Sequence, residues 1–84
     1  MTDRITPLNH SQIESIKELY DFKNSKPARI MCERKSVNLI TGYLIGGNVM
    51  YQIFYWDRPK EFFKRAKKML EESNPGKVFR IDYS

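Results

Sequence analysis

Apolar side chains recur along this chain at two periods, and each switch between them marks an element. Ile13, Ile16, Leu19 and Tyr20 lie three or four apart, with Glu14, Lys17, Glu18 and Asp21 between them, which predicts a helix with a single apolar stripe. Asn9 can cap that helix, Gln12 sits where a reciprocal capping box needs it, and Leu8 with Ile13 has the spacing of a hydrophobic staple. Ser11 with Glu14 offers a second capping box one register later. The run Lys23-Asn24-Ser25-Lys26-Pro27 then ends the pattern with turn formers and a proline that cannot continue a helix.

The period shortens to two over the next segment. Ala28, Ile30 and Cys32 alternate with Arg29 and Glu33, and residues 37–45 are rich in β-branched and aromatic side chains; both stretches predict strands. Gly46-Gly47-Asn48 predicts a tight reversal and residues 49–56 a return strand, so that 37–45 and 49–56 form a hairpin. Helical spacing resumes near Asp57 or Arg58, with Pro59 in the first turn and Glu61 near the positive end of the helix dipole. Its stripe is Phe62, Ala66, Met69 and Leu70, with Phe63 at the margin, and Asn74-Pro75-Gly76 stops it. Phe79, Ile81 and Tyr83 alternate with Arg80 and Asp82, predicting a last strand placed either at an edge or at the centre of the sheet.

The resulting order, α-β-β-β-α-β, predicts a single α+β domain over residues 1–84 with an antiparallel sheet and both helices packed on one face. Each helix has one apolar stripe, and a meander has one face to cover. Residues 1–7, polar and ending in Pro7, predict a flexible lead-in. A chain of 84 residues has room for one core.

Composition narrows the chemistry. Hydrophobic residues make up 40% and charged residues 30% of the chain, enough apolar surface to oppose disorder. Cys32 and His10 each stand alone in their kind, so neither a disulfide framework nor a closed zinc site is expected, and Cys32 reads as a buried, inert thiol. The N-terminus has no signal-like apolar stretch and no run approaches the roughly 20 residues of a membrane span, so a cytoplasmic protein without membrane contact is expected. No phosphate-binding glycine loop, dinucleotide fingerprint, metal box or acid/base pair of carboxylates is present, and His10 suits a capping turn better than a general base. These features predict no cofactor and no enzymatic activity.

The net charge of +5 is regional. Arg58, Lys60, Lys64, Arg65, Lys67 and Lys68 face only Glu61 in the same stretch, a local excess equal to that of the whole chain. At 100° per residue Lys60, Lys64, Lys67 and Lys68 form a ridge opposite the apolar stripe, the arrangement that neutralises phosphates in sequence-independent nucleic-acid binding. Lys23, Lys26, Arg29, Arg34 and Lys35 form a second basic group around the first strand. If they share a face with the ridge, the two make one phosphate-tracking surface.

Tyr43, Tyr51, Tyr55, Phe54 and Trp56 add a stacking or docking candidate, with alternation placing Tyr51 and Tyr55 on one face and Trp56 on the other. Helix-strand-strand-strand-helix order resembles that of double-stranded-RNA-binding domains, and Lys64-Arg65-Ala66-Lys67-Lys68 is similar to part of their Lys-Lys-x-Ala-Lys helix segment. The resemblance covers that short piece alone. Here Trp56-Asp57-Arg58-Pro59 precedes the helix in place of a Gly-containing loop, the basic run sits mid-helix, and a final strand is added.

Two functions follow as expectations. One is a non-catalytic, regulatory nucleic-acid-binding module, for DNA or RNA. The other is a small interaction module or inhibitor that docks on an acidic protein partner, or on a second copy of itself, through an aromatic strand face or a sheet edge.

Overall fold

A computed structural model describes residues 3–46 and 55–83 of the chain. In chain order the elements are β1 (Asp3–Arg4), α1 (His10–Lys17), β2 (Lys26–Cys32), β3 (Lys35–Val37), β4 (Tyr43–Ile45), β5 (Trp56–Arg58), α2 (Lys60–Ser73) and β6 (Phe79–Tyr83). They form one α+β domain around an antiparallel sheet.

β2 is the organising strand. β6 runs along one of its edges, with Ala28 opposite Tyr83, Ile30 opposite Ile81 and Cys32 opposite Phe79. Its other edge is divided between β5, which pairs at residues 26–28, and β3, which pairs at residues 31–32. β4 extends the sheet from β3, and β1 closes that side. The last strand is therefore an outer neighbour of the central one.

The inward set expected on β2 is the one observed, while Met31 on the other face is buried as well. Ala28, Ile30 and Cys32 are buried with Phe62, Phe63, Ala66 and Leu70 of α2 and Ile16 of α1 in a single core, so both helices cover the same sheet face. Each fully buried Leu, Ile or Phe contributes roughly 1.5–3 kcal/mol, and α2 supplies three such side chains. The Asn9 capping box forms as its spacing predicts: the Gln12 N–H donates to Asn9 Oδ1 at 2.8 Å and the Asn9 N–H to Gln12 Oε1 at 2.9 Å. Asn74 caps the far end of α2, and Gly76 follows at φ +87°.

Four local expectations are corrected. Residues 37–45 are not one strand, because Asn38 turns the chain back on itself. Its side-chain oxygen accepts the N–H groups of Ile40 and Thr41, its carbonyl accepts the N–H of Gly42, and its own N–H donates to Tyr43. This side-chain mimic of a turn splits the segment into β3 and β4, which pair with each other. The predicted reversal at 46–48 and the return strand 49–56 lie largely outside the described residues; of that strand, Trp56 belongs to β5, which pairs with β2.

Asp57 and Arg58 do not open the second helix. The residue before a proline is driven towards extended backbone, so Trp56–Arg58 is a strand and Pro59 becomes the N-cap residue. α1 is also shorter than its stripe suggests, ending at Lys17. Polarity and Pro7 predict a flexible lead-in over residues 1–7, but residues 3–7 dock on the sheet. β1 pairs with β4, Ile5 is buried, and the Ile5 N–H donates to the Gly42 carbonyl at 2.8 Å. No helix among the described residues is long and apolar enough to cross a membrane.

Candidate nucleic-acid interface

The cations of α2 divide into paired and unpaired sets. Arg65 Nε meets Glu61 Oε1 at 3.0 Å, and Lys67 Nζ meets Glu71 Oε1 at 3.0 Å, both between residues one helical turn apart. Exposed pairs of this kind are worth less than about 1 kcal/mol, but each places a carboxylate beside its cation and offsets part of its charge. Lys60, Lys64 and Lys68 are exposed and make no ion pair among the described residues. Four-residue steps place these three on a nearly straight row, roughly 12 Å from end to end, on the side of α2 away from buried Phe62, Ala66 and Leu70.

Of the second basic group, Lys26 joins that end of the molecule, and exposed Lys23 lies in the loop that leads into it. Lys26 lies directly opposite Arg58 in the β2–β5 ladder, beside the first turn of α2. Arg29, one strand face away, is tied down: its Nε bonds to Asp82 Oδ2 at 2.9 Å, its Nη1 donates to Ser36 Oγ at 2.8 Å, and its guanidinium lies 5.1 Å above the Tyr55 ring. Arg34, in the β2–β3 turn, and Lys35, at the start of β3, lie at the other end of β2, about 20 Å from Lys26 by strand rise. The two basic groups therefore do not merge into one surface. They touch at Lys26.

The aromatic candidates also separate. Trp56 faces the helices and stacks on Phe62, with centroids 5.4 Å apart, so it belongs to the margin of the core. Tyr43 is exposed on β4 under the Arg4 guanidinium at 5.1 Å. It lies with half-buried Tyr55 on the sheet face opposite the helices, and Tyr51 is outside the described residues.

Several participants carry no sequence signal. Tyr20 and Tyr83 look like the ends of apolar stripes, yet both pack on cations, Tyr20 under Arg58 at 5.3 Å and Tyr83 under Lys60 at 5.6 Å. Only the register of β6 against β2 brings Tyr83 to α2.

The titration shifts lie apart from this surface or behind it. Burial, with Glu33 nearby adding to it, pushes the Cys32 thiol above its ordinary value. Hydrogen bonds from the Asn24 side chain and the Lys23 N–H hold the Asp21 carboxyl below its own. His10 is exposed in the first turn of α1, and among the described residues no His, Cys, Asp or Glu cluster is arranged to hold a metal ion. Comparison with protein-family models, curated proteins and solved structures finds no match to this chain.

Proposed function

We propose that the protein is a non-catalytic nucleic-acid-binding module that contacts phosphates through the Lys60–Lys64–Lys68 row. The observation supporting this reading is that the row is outward-facing, aligned and without acidic partners among the described residues. Three cations over roughly 12 Å can follow the phosphates of one strand, which are spaced about 3.4 Å apart along a duplex axis. Contacts of this kind carry no base readout, so binding tolerates sequence and weakens with salt.

Fluorescence anisotropy with generic duplex and single-stranded oligonucleotides across a salt series tests it. Three phosphate contacts give a log–log slope of about −3. Changing Lys64 and Lys68 together to Gln removes about two-thirds of that slope and most of the affinity. Binding of this double variant at full strength refutes the assignment.

A second reading rests on a different observation. Tyr43 and Ile45 are both substantially exposed on β4, with Ile40 exposed in the adjoining turn, an apolar patch of the kind that marks protein contacts. Under this reading the protein docks on a partner, or on a second copy, through β4. Sedimentation of the purified chain and of a Tyr43→Ser, Ile45→Ser variant distinguishes self-association from a monomer.

A further inference from the structure

The end of the helix-covered sheet face carries a cavity of about 270 Å³ lined by Asn24, Lys26, Arg58, Lys60 and Tyr83. We propose that this cavity is a binding site for a phosphomonoester group. The site shares Lys60 with the α2 row but stands on separate geometry.

Its charge is unbalanced. Lys26 and Arg58 face each other across the β2–β5 ladder, a like-charged cross-strand pair of the kind that destabilises a sheet. Lys60 adds a third cation from the first turn of α2, so three elements deliver positive charge to one concavity. None of the three makes an ion pair among the described residues, and no described residue that lines the cavity is acidic. The neighbouring carboxylates are committed or turned away: Glu61 to Arg65, Asp82 to Arg29, and Asp21 to the Asn24 amide and the Lys23 N–H. Asp57 precedes Arg58 in β5, and strand alternation turns it to the opposite sheet face.

The donors are also held in place. The Arg58 guanidinium sits among the rings of Tyr20, Trp56 and Phe62 at 5.3, 5.9 and 5.8 Å. Its Nη1 donates to the Asp57 carbonyl at 2.9 Å, while its Nε–H is buried without an acceptor among the described residues. An unsatisfied buried donor on a charged group is costly. A guanidinium fixed by aromatic faces presents its remaining donors as a fork that matches tetrahedral oxyanions.

Lys60 is steadied over the Tyr83 ring. Because Lys60 of the first turn lines the cavity, the positive end of the α2 dipole lies at the same end of the sheet, and Pro59 supplies no side-chain cap there.

Charge and size select the ligand. A phosphomonoester carries about −1.5 to −2 at neutral pH, a better counterpart to three cations than a singly charged diester. A water molecule takes up about 30 Å³ of liquid, so the cavity admits the phosphoryl group and part of whatever carries it. A free small-molecule phosphate and the terminal phosphate of a nucleic acid share this chemistry.

The test is a titration of the whole chain, followed by amide chemical shifts at fixed ionic strength. Inorganic phosphate, a short 5′-phosphorylated oligonucleotide and its 5′-hydroxyl counterpart serve as probes, against chloride alone. Saturable shifts at Lys26, Arg58, Lys60 and Tyr83 with phosphate are expected. Lys26→Gln, an exposed substitution with little effect on folding, weakens phosphate binding by about fivefold, whereas Lys64→Gln with Lys68→Gln leaves it unchanged. The second pair instead lowers oligonucleotide affinity whichever end group is present, so failure of the cavity and failure of the row are read separately.

Preference for the 5′-phosphorylated over the hydroxyl end assigns the site to nucleic-acid termini. Equal affinity of the two oligonucleotides alongside saturable inorganic phosphate assigns it to a free phosphate compound. Shifts that stay linear and match those from chloride, or a Lys26→Gln variant that binds phosphate as the parent does, overturn the proposal.

Discussion

Asn74 and Thr6, separated by 68 positions, are joined by a reciprocal pair of hydrogen bonds in which a side-chain amide takes the place of a strand. The Thr6 N–H donates to Asn74 Oδ1 at 2.8 Å and Asn74 Nδ2 donates to the Thr6 carbonyl at 2.9 Å. The same Nδ2 also donates to the Leu70 carbonyl at 2.9 Å. One amide thereby closes the C-terminus of α2 and fastens the N-terminal segment to it. Asn74→Ala removes all three bonds and is expected to destabilise the fold by about 2 kcal/mol, while Asn74→Asp keeps the acceptor and loses both donations. Urea denaturation of the two variants checks the order, and an Asn74→Ala midpoint equal to the parent's would show that the junction carries no stability.

Two glycines share a left-handed backbone but not their surroundings. At Gly42, φ +81°, a Cβ would collide with the carbonyl oxygen of Ile5; at Gly76, φ +87°, it would meet nothing within 4 Å. Gly76→Ala should therefore cost only the conformational penalty, about 1–2 kcal/mol. Gly42→Ala adds a backbone clash that parts β1 from β4, and its cost should exceed that of Gly76→Ala clearly in thermal melts. Equal losses would mean that the N-terminal segment yields freely.

Asp21 makes the turn before β2 sensitive to acid. Because hydrogen bonds from Asn24 and Lys23 lower its pKa in the folded state, its contribution to stability is full above the unfolded value of about 3.9 and is lost as pH falls through the lower folded value. Melting temperatures recorded from about pH 5 downwards should show this component in the parent and not in Asp21→Asn. Profiles that coincide below about pH 4 would remove Asp21 from the account.

Cys32 should behave as a core side chain rather than a reagent. It is 1% exposed and its thiol is pushed up by burial, so little thiolate forms and access requires opening of the sheet. A chromogenic disulfide reagent at about pH 8 should label one equivalent in denaturant and label the native chain only at the rate of unfolding. Rapid stoichiometric labelling of the folded protein would place the thiol at the surface.

Where the chain's own local chemistry decides a feature, sequence and structure agree. The Asn9–Gln12 capping box, the stop at Asn74-Pro75-Gly76, the inward set Ala28, Ile30 and Cys32, and the buried stripe of α2 all depend on residues within one or two turns of each other. Asn38 is the local signal that was readable but outweighed: β-branched and aromatic neighbours on both sides make residues 37–45 resemble a strand, and only the side-chain hydrogen bonds to Ile40 and Thr41 disclose the turn inside it.

The candidate site divides along the same line. Spacing by itself determined that Lys60, Lys64 and Lys68 share one side of a helix, because 3.6-residue periodicity is a property of a single segment. Tertiary structure alone decided that Arg29 is tied to Asp82, that Arg34 and Lys35 lie at the far end of β2, and that Lys26 meets Arg58, Lys60 and Tyr83 around one cavity. Those outcomes depend on the register between strands distant in the chain. Register is set by which apolar faces bury together in the common core, a condition that no one segment contains.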